Sequence, residues 1–106
     1  MQHAARKWLE PWYPVDDAGQ QDGLARQLRV ELSPRHVLYG AHIRLIARRA
    51  DTDDALFALP DGRVAEVHLT WKSSPEEDPR WPATAIFPSL DDWAEESMAP
   101  LHAELS

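Results

Sequence analysis

The chain has 106 residues, no cysteine, and a formal charge of −7 from 11 Lys and Arg against 18 Asp and Glu. Without thiols there is no disulfide, thiolate zinc site, iron–sulfur cluster or cysteine nucleophile. The acidic balance argues against nucleic acid, which is held non-specifically by positive charge.

No run of about 18 apolar residues offers a membrane span, and residues 1–8 lack the apolar stretch of a secretory signal. The expectation is one domain over 1–106, cytoplasmic, with no cofactor. Residues 1–50 carry a net +3 and residues 51–106 a net −10, an asymmetry that interleaving of the two halves in space would erase.

Residues 1–14 read as an arm, because Pro11 and Pro14 around Trp12 and Tyr13 disfavour a helix. Residues 17–32 read as a helix: Asp16 or Asp17 caps it, Leu24, Leu28 and Leu32 recur at i, i+4 and i+8, and Ser33-Pro34 stops it. A strand is expected from about His42 to Arg49, with Ile43, Leu45 and Ala47 on one face and His42, Arg44, Ile46 and Arg48 on the other. Asp51-Thr52-Asp53 turns the chain into a second strand over 54–59. Pro60-Asp61-Gly62 is the strongest turn signal, and a third strand over 63–71 follows.

Register follows from side-chain pattern. A three-residue loop with Gly62 at positive φ pairs Phe57 with Ala65 and Ala55 with Val67, making one apolar face that Leu69 and Trp71 extend. It also places Asp54 opposite His68 and Leu56 opposite Glu66. Residues 72–82 form a polar loop with three prolines, 84–87 a short strand, and 89–99 a helix capped by Ser89 and ended by Pro100. The predicted fold class is α+β: an antiparallel three- to four-stranded meander (42–71 and 84–87) with an N-terminal and a C-terminal helix packed on one face. The other face is left open.

That open face supplies the first candidate site. His68 beside Asp54 and Glu66 is a histidine whose charged form carboxylates favour, suited to acid–base work. His42 and Arg44 arrive from the first strand in this reading. The bland alternative is ordinary cross-strand electrostatics, and neither a nucleophile nor an oxyanion loop accompanies the group. A metal site through His42, His68 and Asp54 has the weakest support, so none is assigned.

The second candidate is Asp78-Pro79-Arg80-Trp81-Pro82. Two prolines restrain an arginine and a tryptophan, both favoured binding anchors, and Trp71 joins them as a candidate partner-binding residue. The competing reading has Trp81 plug the core while Arg80 stacks on it or pairs with a carboxylate.

Across residues 55–63, 67–71, 78–82 and 89–93 the chain resembles a group of small bacterial proteins of unknown function, over about residues 24–98. The resemblance implies a bacterial source and no activity. The strand–loop–strand ending in Pro-Ser-Leu-Asp-Asp-Trp also loosely resembles bacterial immunity proteins, which are small, acidic and toxin-binding. The leading expectation is therefore a non-catalytic, immunity-like or regulatory protein that binds another protein. A homodimer through the open face (Ile46, Leu56, Ala58, Val64) is a further expectation. The alternative is a ligand-binding or hydrolase-like domain using Asp54 and His68.

Overall fold

A computed structural model describes residues 7–105. Its elements in chain order are β1 (Trp12–Pro14), α1 (Ala18–Glu31), β2 (Arg44–Arg49), β3 (Asp54–Ala58), β4 (Val64–His68) and β5 (Thr84–Phe87). A helical run follows: α2 (Leu90–Trp93), a π turn (Ala94–Met98) and α3 (Ala99–Leu105). The α+β class stands, with five antiparallel strands in the order β1-β2-β3-β4-β5.

The fifth strand comes from the segment expected to be an arm. Trp12, Tyr13 and Pro14 pair with Arg49, Arg48 and Ala47. A proline is tolerated there because β1 is an edge strand, where a missing N–H costs no ladder bond. Residues 1–6 of that arm lie outside the described residues.

α1 begins where Asp17 accepts a hydrogen bond from the Gln20 N–H at 2.8 Å. The Pro60-Asp61-Gly62 loop forms as the side-chain pattern requires. Gly62 sits at φ 92°, Leu59 N–H donates to the Arg63 carbonyl at 2.9 Å, and Asp54↔His68, Leu56↔Glu66 and Phe57↔Ala65 are in register. In β2 the strict alternation breaks. A bulge between Leu45 and Ala47 puts Leu45 in one core and both Ile46 and Ala47 in the other, since an extra residue reverses the facing of everything after it.

The two helical segments do not share a face, which corrects the one-face arrangement. Leu24, Ala25, Leu28 and Leu32 pack with Leu45, Ala55, Phe57, Ala65 and Val67 on one side of the sheet. Leu90, Trp93, Ala94 and Met98 pack with Trp12, Ile46, Ala47, Leu56 and Val64 on the other. β3 and β4 put apolar residues on both faces at this end, so each face needs a cover. The face expected to be open or to bury a second copy is thus filled by the chain's own helix, with Ile46, Leu56 and Val64 buried and Ala58 packed against them.

Pro100 does not end that helix. The preceding turn widens to an i→i+5 pattern, with Ala99 N–H bonded to the Ala94 carbonyl. A π turn is one of the few ways a helix passes a residue with no N–H and a bulky ring.

Candidate functional site

The end of the sheet where β4 gives way to the long loop holds both candidate groups. Asp54 and His68 do meet: His68 Nδ1 lies 2.6 Å from Asp54 Oδ1. Asp54 is mostly covered while the His68 side chain is 51% exposed. Asp54 Oδ2 takes a bond from Arg49 Nη1 at 3.3 Å, and Arg49 also grips Asp51 through Nε at 2.9 Å and Nη2 at 2.8 Å. That grip on Asp51 is the main reason the Arg49 guanidinium is held above its ordinary pKa, against the opposing effect of its burial. Arg49, at the end of β2, is the hub of the cluster.

Glu66 belongs to a different assembly. Its Oε1 accepts from Trp93 Nε1 at 2.8 Å and from Ser97 Oγ at 2.6 Å, so it anchors the C-terminal helix to the sheet. Asp54 is bonded to both Arg49 and His68, and Glu66 Oε1 is taken by the helix, so both carboxylates are already engaged where the trio lines a shallow 380 Å³ depression with Ala83, Thr84 and Ala85. His42 and Arg44 line depressions beside α1 instead. Among the described residues no three His, Asp or Glu side chains are placed to hold a metal ion.

The long loop is more highly organised. Glu31, at the end of α1, is fully buried. Its Oε1 accepts from the Thr70 N–H at 2.9 Å and shares the single Thr70 Oγ1 proton (2.9 Å) with Glu76 Oε2 (2.8 Å), and its Oε2 accepts from the Trp71 N–H at 3.0 Å and Gln27 Nε2 at 2.8 Å. The Glu31 carbonyl takes the Glu76 N–H at 3.1 Å, and Lys72 bonds Glu76 at 2.9 Å. One helix terminus therefore gathers residues 70–76. Within this frame Trp71 adopts φ 62° and is 47% exposed. It does not extend the core face of β4, because the strand ends at His68 and the chain turns left-handed.

The other end of the loop is anchored by His36. The Leu38 N–H donates to His36 Nδ1 at 3.0 Å, so Nδ1 is an acceptor. The proton therefore sits on Nε2, which donates to the Pro82 carbonyl at 2.9 Å. Pro82, not Trp81, fills the interior; Trp81 is 46% exposed. Arg80 pairs with Asp78, Nη2 to Oδ2 at 2.6 Å. Glu31, Gln27, Thr70, Glu76 and His36 were not singled out from sequence. Glu31 had a signal: it falls three residues after Leu28 and seven after Leu24, a carboxylate set on the buried stripe of a helix.

Hydrogen bonds from the Arg80 side chain, then from its backbone N–H, hold the Asp78 carboxyl down at about 2. A depressed carboxylate contributes fully above its unfolded pKa of about 3.9 and loses that contribution as pH falls through its folded value. The Arg80 Nε–H chemical shift, which reports the bond to Asp78 directly, is therefore expected to stay constant from neutral pH to about pH 4 and to change as pH falls toward about 2. Asp78→Asn is expected to remove that acid transition. Identical titrations of the two proteins would refute the assignment.

No protein-family model, curated protein or solved structure matches this chain, so the functional reading rests on its own geometry.

Proposed function

We propose that this protein is a binding module for a protein partner, with the β4–β5 loop as its recognition element and Trp71 and Trp81 as anchors. A regulatory role toward one target, of the immunity type, is the most concrete form of this reading. The observation that carries it is Trp71. A left-handed backbone costs an L-residue about 1–2 kcal/mol, and such strain persists only where surrounding structure over-determines it. Here a buried carboxylate supplies that determination, and what it holds half in solvent is an indole. Trp81 leaves the same end of the β4–β5 pair, where the His68 N–H bonds the Ala83 carbonyl at 2.9 Å. Rigid exposed aromatics bind at low entropic cost, which makes them favoured hot spots.

The test places a photo-crosslinking amino acid at position 80, beside Trp81, in cells that produce the protein. A discrete adduct is expected from the otherwise wild-type chain. Since a hot-spot aromatic contributes about 2 kcal/mol or more, the Trp71→Ala/Trp81→Ala variant is expected to weaken binding at least about 30-fold and lose the adduct. His68→Ala should leave it in place. An adduct indifferent to both tryptophans would refute the reading. One lost only in His68→Ala would move the function to the second reading, a small-ligand or hydrolase-like site. The observation favouring that alternative is the Asp54–His68 pair, in which Asp54 orients the ring through Nδ1.

A further inference from the structure

α1 has two flanks on either side of its buried stripe. At about 100° per residue, Gln27 and Glu31 lie on one flank, facing the β4–β5 loop, while Asp22, Arg26 and Arg29 lie on the other. The second flank borders a 290 Å³ depression whose lining includes Arg26, Arg29, Arg44 and Asp22. Arg29 also lines a second depression of 400 Å³, together with Leu32, Tyr39 and His42.

The arginines of this protein differ in how they are used. Arg49, Arg63 and Arg80 each hold an aspartate. Arg26, Arg29 and Arg44 form no ion pair among the described residues. In a chain of net charge −7, three cations are gathered around one hollow whose only acidic lining residue is Asp22. Unpaired cations lining one depression repel one another and are stabilised by an anion between them. β1 pairs along β2 to Ala47, and the Val15 N–H reaches the Ile46 carbonyl at 3.0 Å, so Arg44 at the start of β2, beside this hollow, lies beyond that pairing.

From this arrangement we infer that the trough between α1 and the chain entering β2 binds a small oxyanion ligand, a phosphate or carboxylate on a short organic body. Guanidinium groups match either oxyanion through paired N–H bonds. The arginine-lined depression takes the anion, and the adjoining one, with Leu32 and Tyr39 as aliphatic and aromatic walls, takes the body. The volumes suit a small ligand, since such sites occupy about 300–1,000 Å³. The field also selects for size. A charge seated among the arginines feels them within a Debye length of about 8–10 Å, whereas a long polyanion also meets the acidic remainder. Nucleic acid is disfavoured on that ground.

The test is titration of the full chain with phenyl phosphate and, separately, with benzoate, followed calorimetrically and by amide chemical shifts. Saturable binding of at least one probe is expected, with shifts concentrated at the trough-lining residues. Tighter phenyl phosphate identifies the anion as phosphate, and tighter benzoate as carboxylate; either supports the site. Arg29→Ala is expected to weaken the preferred probe by about tenfold or more, with Arg63→Ala unchanged. Arg29→Lys, which keeps the charge and helix propensity but loses the planar fork, should fall between wild type and Arg29→Ala and guards against a folding artefact. Absence of saturation by both probes would overturn the inference. So would equal weakening by Arg63→Ala, or displacement of phenyl phosphate by a single-stranded oligonucleotide at far lower concentration.

Discussion

Glu31→Leu is expected to destabilise the protein by about 3–5 kcal/mol, the range for breaking a buried charged network. The Glu31 carboxylate is fully buried and takes bonds from Thr70 N–H and Oγ1, Trp71 N–H and Gln27 Nε2. A hydrogen bond to a charged group contributes about 1.5–3 kcal/mol, and each part-buried donor left unmade adds its own desolvation penalty. The sum is not additive, because the loop relaxes once released and water reaches its N–H groups.

Glu31→Gln separates geometry from charge. Its amide oxygen can serve the two Thr70 donors, but its NH₂ then confronts Trp71 N–H and Gln27 Nε2, donor against donor. A loss of about 1–3 kcal/mol is expected. Urea unfolding monitored by circular dichroism measures both variants. The Trp71 backbone N–H resonance, which reports the bond to Glu31, shows whether the left-handed turn has relaxed ahead of global unfolding. A stability change below about 0.5 kcal/mol in Glu31→Leu, the range for an ordinary surface substitution, would show that the carboxylate does not hold the loop.

The strands were legible wherever alternation and turn chemistry agreed. Pro60-Asp61-Gly62 sets a loop length, loop length sets register, and register places Asp54 against His68. β5 occupies Thr84–Phe87, the residues that the sequence pattern marks as a short strand. What escaped was non-local. The β2 bulge depends on two cores competing for Ile46 and Ala47, and a period-2 reading contains no term for that. The split of the helices between faces was in principle readable, because β3 carries three consecutive buried residues, Ala55, Leu56 and Phe57. A strand with one wet face would alternate instead. The candidate residues fared unevenly for the same reason. Asp54 and His68 are a local pairing of adjacent strands, whereas Glu66 is occupied by Trp93 and Ser97 from a helix that meets it only in the assembled fold.

Trp71 and Trp81 show the limit of composition as a guide. Five tryptophans in 106 residues favour burial, since each removes up to about 250 Å² from water when enclosed. Trp12 and Trp93 conform; Trp71 and Trp81 are half exposed. The difference lies in what holds the backbone. Glu31 fixes the turn at residue 71, and His36 fixes the segment at residue 82. Both anchors sit in the interior, so the loop is held from inside while its aromatic surface faces out.

The tryptophan that should matter most to stability is Trp93. It is fully buried, its ring lies 5.0 Å from that of Trp12 in an edge-on arrangement (88°) and 5.8 Å from that of Trp8, and its Nε1 donates to Glu66. Trp93→Ala is expected to cost about 3–5 kcal/mol, because it opens the cavity under α2 and removes a donor from a half-buried carboxylate. Trp93→Phe retains most of the packing but still strips Glu66 of that donor, for an expected loss of about 1–3 kcal/mol. Trp12→Phe is the informative comparison. Trp12 is equally enclosed, yet its Nε1 has no hydrogen-bond partner among the described residues, so removing that N–H should cost under about 1.5 kcal/mol. Urea midpoints at constant slope give all three values. If Trp12→Phe and Trp93→Phe prove equal, ring volume alone decides stability on this face and the Glu66 bond contributes nothing. If Trp93→Phe is the worse by a kilocalorie or more, about 1 kcal/mol being the usual worth of such a bond, the carboxylate predicted from sequence to be part of a site is a clasp between sheet and helix.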